Sequence, residues 1–178
     1  LSQLARHITA YRIDDAASAL PADLADAVAM QIDDLSADTN ELLALAAVAG
    51  SEFSIHLLAY AADIPHEDVL PLIQEAIDGK VIRASNAPGT YKFAHALLRD
   101  ALYQRLSTIR RCRLHERIAR WLVNLNSNEQ DAHLSSISHH FYEAASLGLI
   151  DEAVKFARRA GDSASCRLAY EDAARHYA

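Results

Sequence analysis

The sequence is short of cysteine and glycine and has no long apolar run, and each shortage restricts what the chain can be. Its two cysteines, Cys112 and Cys166, lie far apart on predicted helices, which favours free thiols in a reducing cytoplasm over a disulfide. The longest apolar run, residues 42–49, is far below the roughly 20 residues that span a bilayer. No membrane contact and no signal peptide are therefore predicted.

The motifs of several common active sites are also missing. The sequence contains no Gly-x-x-x-x-Gly-Lys-Ser/Thr phosphate loop, no Gly-x-Ser-x-Gly, no His-Glu-x-x-His and no Cys-x-x-Cys. Paired carboxylates such as Asp33-Asp34 lie near predicted helix ends, where they interact with the helix dipole or with solvent. We therefore expect no enzyme active site, no catalytic residue and no resident cofactor in this chain.

Histidine is the one potential metal ligand in good supply. The chain has nine histidines, and His139 and His140 are adjacent. Adjacent side chains on a helix point about 100° apart, which argues against both binding one ion. The sequence therefore predicts no metal site.

Charge is distributed unevenly along the chain. Residues 1–79 carry a net charge of −12, residues 80–121 carry +8 and residues 122–178 carry −3. A basic block inside an acidic protein can bind an anion such as a nucleotide or nucleic acid, dock on an acidic neighbour, or match charges internally. The candidate anion- or partner-docking residues of this block share one predicted helix: Arg110, Arg111, Arg113 and Arg117.

Apolar spacing and turn residues predict a succession of helices interrupted by one hairpin. The predicted helices cover residues 1–10, 21–32, 37–49, 54–62, 66–78, 95–106, 109–125, 133–146, 150–160 and 163–178. Two strands, 81–85 and 90–94, are joined by an Asn-Ala-Pro-Gly turn. The five glycines all fall at predicted breaks: Gly50, Gly79, Gly89, Gly148 and Gly161.

In a winged helix, three helices are followed by a hairpin, and the predicted elements follow this order. We therefore predict an all-α, mainly helical fold with a small two-stranded wing. In a winged helix, the second helix of the helix-turn-helix pair reads the major groove of DNA. Here that helix, 66–78, has no Lys or Arg and carries four acids: Glu67, Asp68, Glu75 and Asp78. Because these would repel phosphate, we do not expect DNA contact, and a direct DNA-binding module is the alternative.

The last third of the chain has a different pattern. From residue 133 onward, alanine-rich helices with alternating small and large residues are similar to tetratricopeptide-type helix pairs. The polar stretch 124–131 separates them from the preceding helices. The predicted domains are therefore 1–19, 20–125 and 126–178.

An ordered set of short motifs also resembles a known family. The motifs are Leu20-Pro21, Ile32-x-x-Leu35-Ser36, Asn40-Glu41-Leu42-Leu43, Phe93-x-His95-x-Leu97-x-Arg99-Asp100-x-x-Tyr103 and Arg110-x-x-x-Leu114-His115-x-x-Ile118-Ala119. Together they resemble the region after the ATPase core in signal-transduction ATPases with numerous domains. That class includes the large LuxR-type bacterial transcriptional regulators and the ATPase-linked adenylate cyclases.

The resemblance implies an architecture and a role. Residues 1–19 would be the end of an ATPase module and a connector, residues 20–125 a winged helix with linker helices, and residues 126–178 the start of tetratricopeptide-like repeats. We expect a fragment of a cytoplasmic regulator of transcription or signalling. Its own ATPase module would hold ATP or ADP, and the repeats would bind an effector or a protein.

The same resemblance implies a nucleotide-sensing role for His95, supported by Arg99 one turn later. In related ATPases, a histidine in a Met-His-Asp motif after the wing contacts the β-phosphate of ADP and holds the inactive state. Here Ala94 and Ala96 stand in place of the Met and the Asp. One alternative is a core-packed histidine that caps the helix or bonds to neighbouring backbone. For the chain as a whole, another alternative is a protein-interaction scaffold with no link to nucleotide.

Overall fold

The structure, a computed structural model, describes residues 22–125, 127–166 and 169–177. The helix predicted over 1–10, the connector after it and the start at Pro21 lie outside these ranges. Within them the chain is mainly helical with a small antiparallel sheet, which confirms the predicted class. The chain divides into two compact units, with the division between Arg105 and Leu106.

The first unit combines helices with all the strands found in the described residues. Its elements are α1 (Ala22–Asp33), α2 (Ala37–Ala49), β1 (Glu52–Ser54), α3 (Ile55–Ala62), α4 (His66–Asp78), β2 (Ile82–Ala84), β3 (Thr90–Phe93) and α5 (Ala96–Gln104). Strand β3 lies in the middle of the sheet and is antiparallel to both β1 and β2. The predicted hairpin is therefore present, but it is joined by a third strand. Three residues are too few for β1 to show strand periodicity in the sequence.

Helix α2 forms the centre of the first unit's core. Ser36 caps it as predicted, since its hydroxyl accepts a hydrogen bond from the Thr39 backbone N–H. Eight of the 13 residues of α2 are buried, and they point in every direction around the helix. Helices α3, α4 and α5 all contact it, so α2 is the element on which the rest of this unit packs.

A carboxylate on α4 also binds the N-terminus of α2. Glu75 accepts hydrogen bonds from the Ser36 backbone N–H at 2.6 Å, from the Ser36 hydroxyl at 2.7 Å and from the hydroxyl of buried Thr39. These hydrogen bonds, with that of Thr39 the strongest influence, lower the pKa of Glu75. The sequence analysis counted Glu75 among acids that would face a DNA groove, whereas its carboxylate faces α2.

The second unit is helical throughout its described residues. It contains α6 (Thr108–Val123), α7 (Ser127–Ala132), α8 (Leu134–Glu143), a 3-10 turn (Ala145–Leu147), α9 (Ile150–Cys166) and α10 (Tyr170–Tyr177). Helix α8 packs against α6 and α9, and α9 also packs against α10. Because the apolar face of α6 is buried against α8, this helix belongs to the second unit. The division into compact units at 105/106 thus lies before the predicted domain boundary at 125/126, and the predicted domain organisation stays a prediction.

The helix break predicted at Gly161 is wrong, because α9 continues through it to Cys166. Gly161 is buried on the same helix face as Ala160 and Ala164. A glycine inside a helix costs about 1 kcal/mol relative to alanine, and burying a small-residue face against neighbouring helices offsets that. The break predicted at Gly148 is confirmed, since this residue has a left-handed φ of 87° after the 3-10 turn.

Two further observations concern the predictions about membrane spans and cysteines. Among the described residues, no helix combines the length and the apolar character that crossing a membrane requires. Both cysteines are free thiols, with Cys112 buried and Cys166 exposed.

Replacing Glu75 is expected to lower stability in a pH-dependent way. The native pKa lies below the ordinary value of 4.5, so the carboxylate's stabilisation is fully present above that value and is lost as the pH falls through the native pKa. The melting temperature of Glu75→Gln should therefore fall below that of the wild type at neutral pH, and the two should converge in acid. Calorimetry across this range measures the difference.

Asp78→Asn is the matched control, since Asp78 is an exposed acid on the same helix. It should leave the melting temperature nearly unchanged at every pH. A Glu75→Gln effect that does not vary with pH would contradict the assigned role.

Candidate functional site

His95 lies where the chain leaves β3 and enters α5, as the sequence analysis predicts. It is the N-cap residue of α5, with an extended backbone (φ −137°, ψ 144°), and its side chain makes no capping hydrogen bond. The side chain is exposed. The alternative in which His95 packs into the core and caps the helix is therefore wrong. An exposed imidazole beside the first N–H groups of a helix has surroundings that favour an anion.

Arg99 lies one turn further along α5 but contacts a different element. Its Nε donates a hydrogen bond to the carbonyl oxygen of Ala47 at 3.2 Å. Ala47 is in the last turn of α2, where carbonyl groups lack a partner within their own helix. The guanidinium therefore binds the C-terminus of α2, at the negative end of the helix dipole. The nucleotide-sensing role of Arg99 stays a prediction. The hydrogen bond to Ala47 gives the same side chain a structural role as well.

The predicted basic helix presents an arginine stripe, defined here as the exposed residues Arg110, Arg113, Arg117 and Arg120 of α6. A helix advances about 100° per residue, so their spacing places them on one face, opposite the buried face that contains Cys112 and Ile118. Arg111 is not part of the stripe, because it is half-buried and lies on the same side of α6 as the buried residues. Three of the four predicted docking residues, Arg110, Arg113 and Arg117, therefore lie on one exposed surface, and Arg120 extends it.

The positive charge of the stripe is partly neutralised within its own helix. Glu116 accepts hydrogen bonds from the Nε of Arg120 at 2.9 Å and from its terminal nitrogen at 2.8 Å. Such an exposed pair four residues apart contributes little to stability. Its main effect is to lower the net charge that the stripe offers to a partner.

Three histidines form a cluster in the second unit. Two of them are adjacent in sequence, and the third is distant from both. His115 lies on α6, and His139 and His140 lie on α8. The Nδ1 atoms of His115 and His140 are 2.8 Å apart, so one imidazole donates a hydrogen bond to the other. The three ring centroids are 5.0 to 5.6 Å from one another, and one ring nitrogen of each lies within 4.8 Å of the other two.

Burial gives these histidines their electrostatic character. Desolvation, followed by the neighbouring His139 and Arg111, lowers the pKa of His115 to about 3. Desolvation, followed by His115 and His139, also lowers the pKa of His140. Both imidazoles are therefore neutral at neutral pH, and each has one ring nitrogen that carries a hydrogen and one that carries a lone pair. One of the pair must be the Nδ1–H tautomer and the other the Nε2–H tautomer.

The sequence analysis missed this cluster because it considered only the two histidines on one helix. His140 is buried and His139 half-buried, which agrees with the angle expected between adjacent residues. The third ring, that of His115, comes from another helix and lies close to both. A signal was present in the sequence, since His115 follows the apolar spacing of Cys112, Ile118 and Leu122. Histidines on the buried faces of two helices can meet where those helices pack.

Comparison of the chain with protein-family models, with curated proteins and with solved structures gave no match in any of the three. The resemblance to signal-transduction ATPases thus depends on the sequence motifs alone.

Replacing Arg99 is expected to destabilise the first unit even when no nucleotide is present. Arg99→Ala removes a charge-assisted hydrogen bond to the end of α2, which should lower the free energy of unfolding by about 1–2 kcal/mol. Urea unfolding followed by circular dichroism measures the change.

Arg113→Ala is the control, because Arg113 is an exposed arginine of the stripe. A substitution there should change the free energy of unfolding by less than about 0.5 kcal/mol. If the two variants unfold alike, the contact with Ala47 does not stabilise α2.

Proposed function

We propose that this chain is a regulatory relay segment without enzymatic activity. Its first unit would act as a winged-helix module that senses the nucleotide state of an ATPase module. Its second unit would be the start of a helical array that binds an effector or a protein. The observation that carries the proposal is the exposed, uncapped side chain of His95 directly after the last strand of the hairpin.

The order of elements supports the winged-helix interpretation. From α2 the chain runs helix, strand, helix, helix and hairpin, with β3 hydrogen-bonded between β1 and β2. Helices α3 and α4 would be the helix-turn-helix pair, and β2 and β3 the wing. In this arrangement His95 lies at the start of the helix that follows the wing, which is the position the family resemblance gives to the nucleotide-sensing histidine.

The charge of α4 supports a protein partner over DNA. Glu67, Asp68 and Asp78 are exposed on this helix, and its sequence contains no Lys or Arg. A recognition helix in the major groove needs cations near the phosphates, and exposed carboxylates there are repelled. An acidic helix surface is instead suited to a basic protein surface.

The chemistry of His95 is suited to a nucleotide switch. An imidazole N–H can donate a hydrogen bond to a phosphate oxygen, and the first N–H groups of α5 favour the same negative charge. A ligand shifts a conformational equilibrium only when it contacts the two states differently. In the proposed relay, His95 contacts the β-phosphate of ADP in the inactive state and loses that contact in the active state.

The surface of the second unit supports a partner-binding role. Tyr142 is 71% exposed on α8, and Ile150 and Val154 are 62% and 48% exposed on α9. Large apolar side chains left exposed on the packed helices α8 and α9 are available for contact with a partner. The pairing of α8 with α9 and of α9 with α10 is consistent with tetratricopeptide-like helix pairs.

The chain should not bind duplex DNA strongly. Fluorescence anisotropy with a labelled duplex at physiological salt is expected to give a dissociation constant no tighter than roughly 10 µM, in the range of non-specific binding. Salt-sensitive sub-micromolar binding would overturn the proposal in favour of a DNA-binding module. If Arg113→Glu with Arg117→Glu then abolished that binding, the arginine stripe would be the DNA surface.

In a protein that carries the ATPase module together with this chain, His95→Ala should weaken ADP retention. Losing one hydrogen bond to a charged phosphate corresponds to roughly a tenfold faster release of ADP. The amount of ADP that copurifies and the release rate of a fluorescent ADP analogue measure the effect.

His56→Ala is the matched control, because His56 is also an exposed histidine of the first unit. It should retain ADP as the wild type does. Equal retention by His95→Ala would favour a protein-interaction scaffold without a nucleotide link.

A further inference from the structure

We propose that His115, His139 and His140 form a binding site for a zinc-type transition-metal dication. The ion would take the place of the hydrogen bond that joins His115 to His140. The site lies within the second unit, between α6 and α8, and is separate from His95 and from the proposed nucleotide contact. The sequence prediction of no metal site considered only His139 and His140 and not their packing against His115.

The three rings are close to the geometry that such an ion requires. In a tetrahedral zinc site with Zn–N distances of about 2.0–2.1 Å, ligand nitrogens are about 3.3–3.4 Å apart. The Nδ1 atoms of His115 and His140 are 2.8 Å apart, so they need to separate by only about half an ångström. The nearest nitrogen of His139 lies within 4.8 Å of both, and this half-buried ring can close the distance by rotating its side chain.

The hydrogen bond between the rings shows that a metal-binding lone pair is already present. Imidazole binds a metal through a deprotonated ring nitrogen, and the contact between the two Nδ1 atoms requires that one of them accepts and is therefore deprotonated. The ring that now donates must move its proton from Nδ1 to Nε2, so that both Nδ1 lone pairs face the ion. This tautomer change leaves the charge of the ring unchanged, and metal uptake by these two residues releases no net proton.

The ligand set selects the kind of ion. Three imidazole nitrogens suit zinc, cobalt, nickel and copper, whereas calcium and magnesium require oxygen ligands. The cluster contains no carboxylate among the described residues, so the bound ion keeps both positive charges. Arg111 is close enough to influence His115, and its charge opposes the ion. We therefore expect micromolar affinity, with a water molecule as the fourth ligand at the half-exposed rim.

A purely structural role for the cluster makes a different prediction about His139. If His115 and His140 only stabilise the packing of α6 on α8 through their hydrogen bond, then His139 is dispensable for every property of the cluster. If the cluster binds a metal, His139 is the third ligand, and its loss lowers affinity without removing the buried pair. This residue therefore separates the two accounts.

The test uses the chelator-treated chain without a polyhistidine tag, titrated with Co²⁺ and then with Zn²⁺. Cobalt is expected to bind one ion per chain and to give the visible absorption of tetrahedral nitrogen ligation, which zinc then displaces. Saturating Zn²⁺ should raise the melting temperature, because the ion binds the folded chain. Absence of one-to-one uptake at concentrations up to about 100 µM would overturn the proposal.

His139→Ala and His139→Gln are the informative variants, since His139 is the least buried ligand. Each should bind Co²⁺ at least roughly tenfold more weakly and lose the zinc-dependent rise in melting temperature, while the melting temperature without metal stays near that of the wild type. His133→Ala is the matched control, because His133 is an exposed histidine at the start of α8. Equal cobalt affinity in the His139 variants and in His133→Ala would show that the cluster is not the site.

Discussion

The packing of the first unit depends on the hydrogen bonds that the two ends of the buried helix α2 make to other elements. A helix leaves four N–H groups and four carbonyl groups without internal partners, and burial denies them water. Ser36 and Glu75 bind the N-terminal end, and Arg99 binds the carbonyl oxygen of Ala47 at the other. Glu75 lies on α4 and Arg99 lies on α5. The hydrogen bonds that these side chains make to the ends of α2 therefore also fix the positions of both helices.

This constraint connects the fold to the proposed function. With Glu75 facing α2, the exposed acids of α4 are Glu67, Asp68 and Asp78, on which the proposal of a protein partner instead of DNA depends. With Arg99 bound to α2, the first turn of α5 is held next to the hairpin and His95 is left exposed at its start. In the second unit, burial of His115 and His140 similarly requires that each imidazole has a partner, and the pair provides it.

The sequence predicted what local signals determine and missed what depends on packing. The N-cap Ser36, the bounds of α4 and the hairpin follow from capping residues, apolar spacing and turn residues, and all three predictions are confirmed. The contact of Glu75 with Ser36 spans 39 residues, and no local pattern encodes it. The continuation of α9 through Gly161 and the histidine cluster likewise depend on neighbouring helices. His95 was found because a strand-to-helix junction is a local feature.

Hydrogen exchange at the start of α5 tests the coupling of His95 to nucleotide most directly. The measurement compares the ADP-bound and ATP-bound forms of a protein that contains the ATPase module, following the backbone amides of Ala96 and Leu97. The proposed relay predicts slower exchange at these amides with ADP, because phosphate and His95 then cover the helix N-terminus. Identical exchange in the two nucleotide states would contradict it.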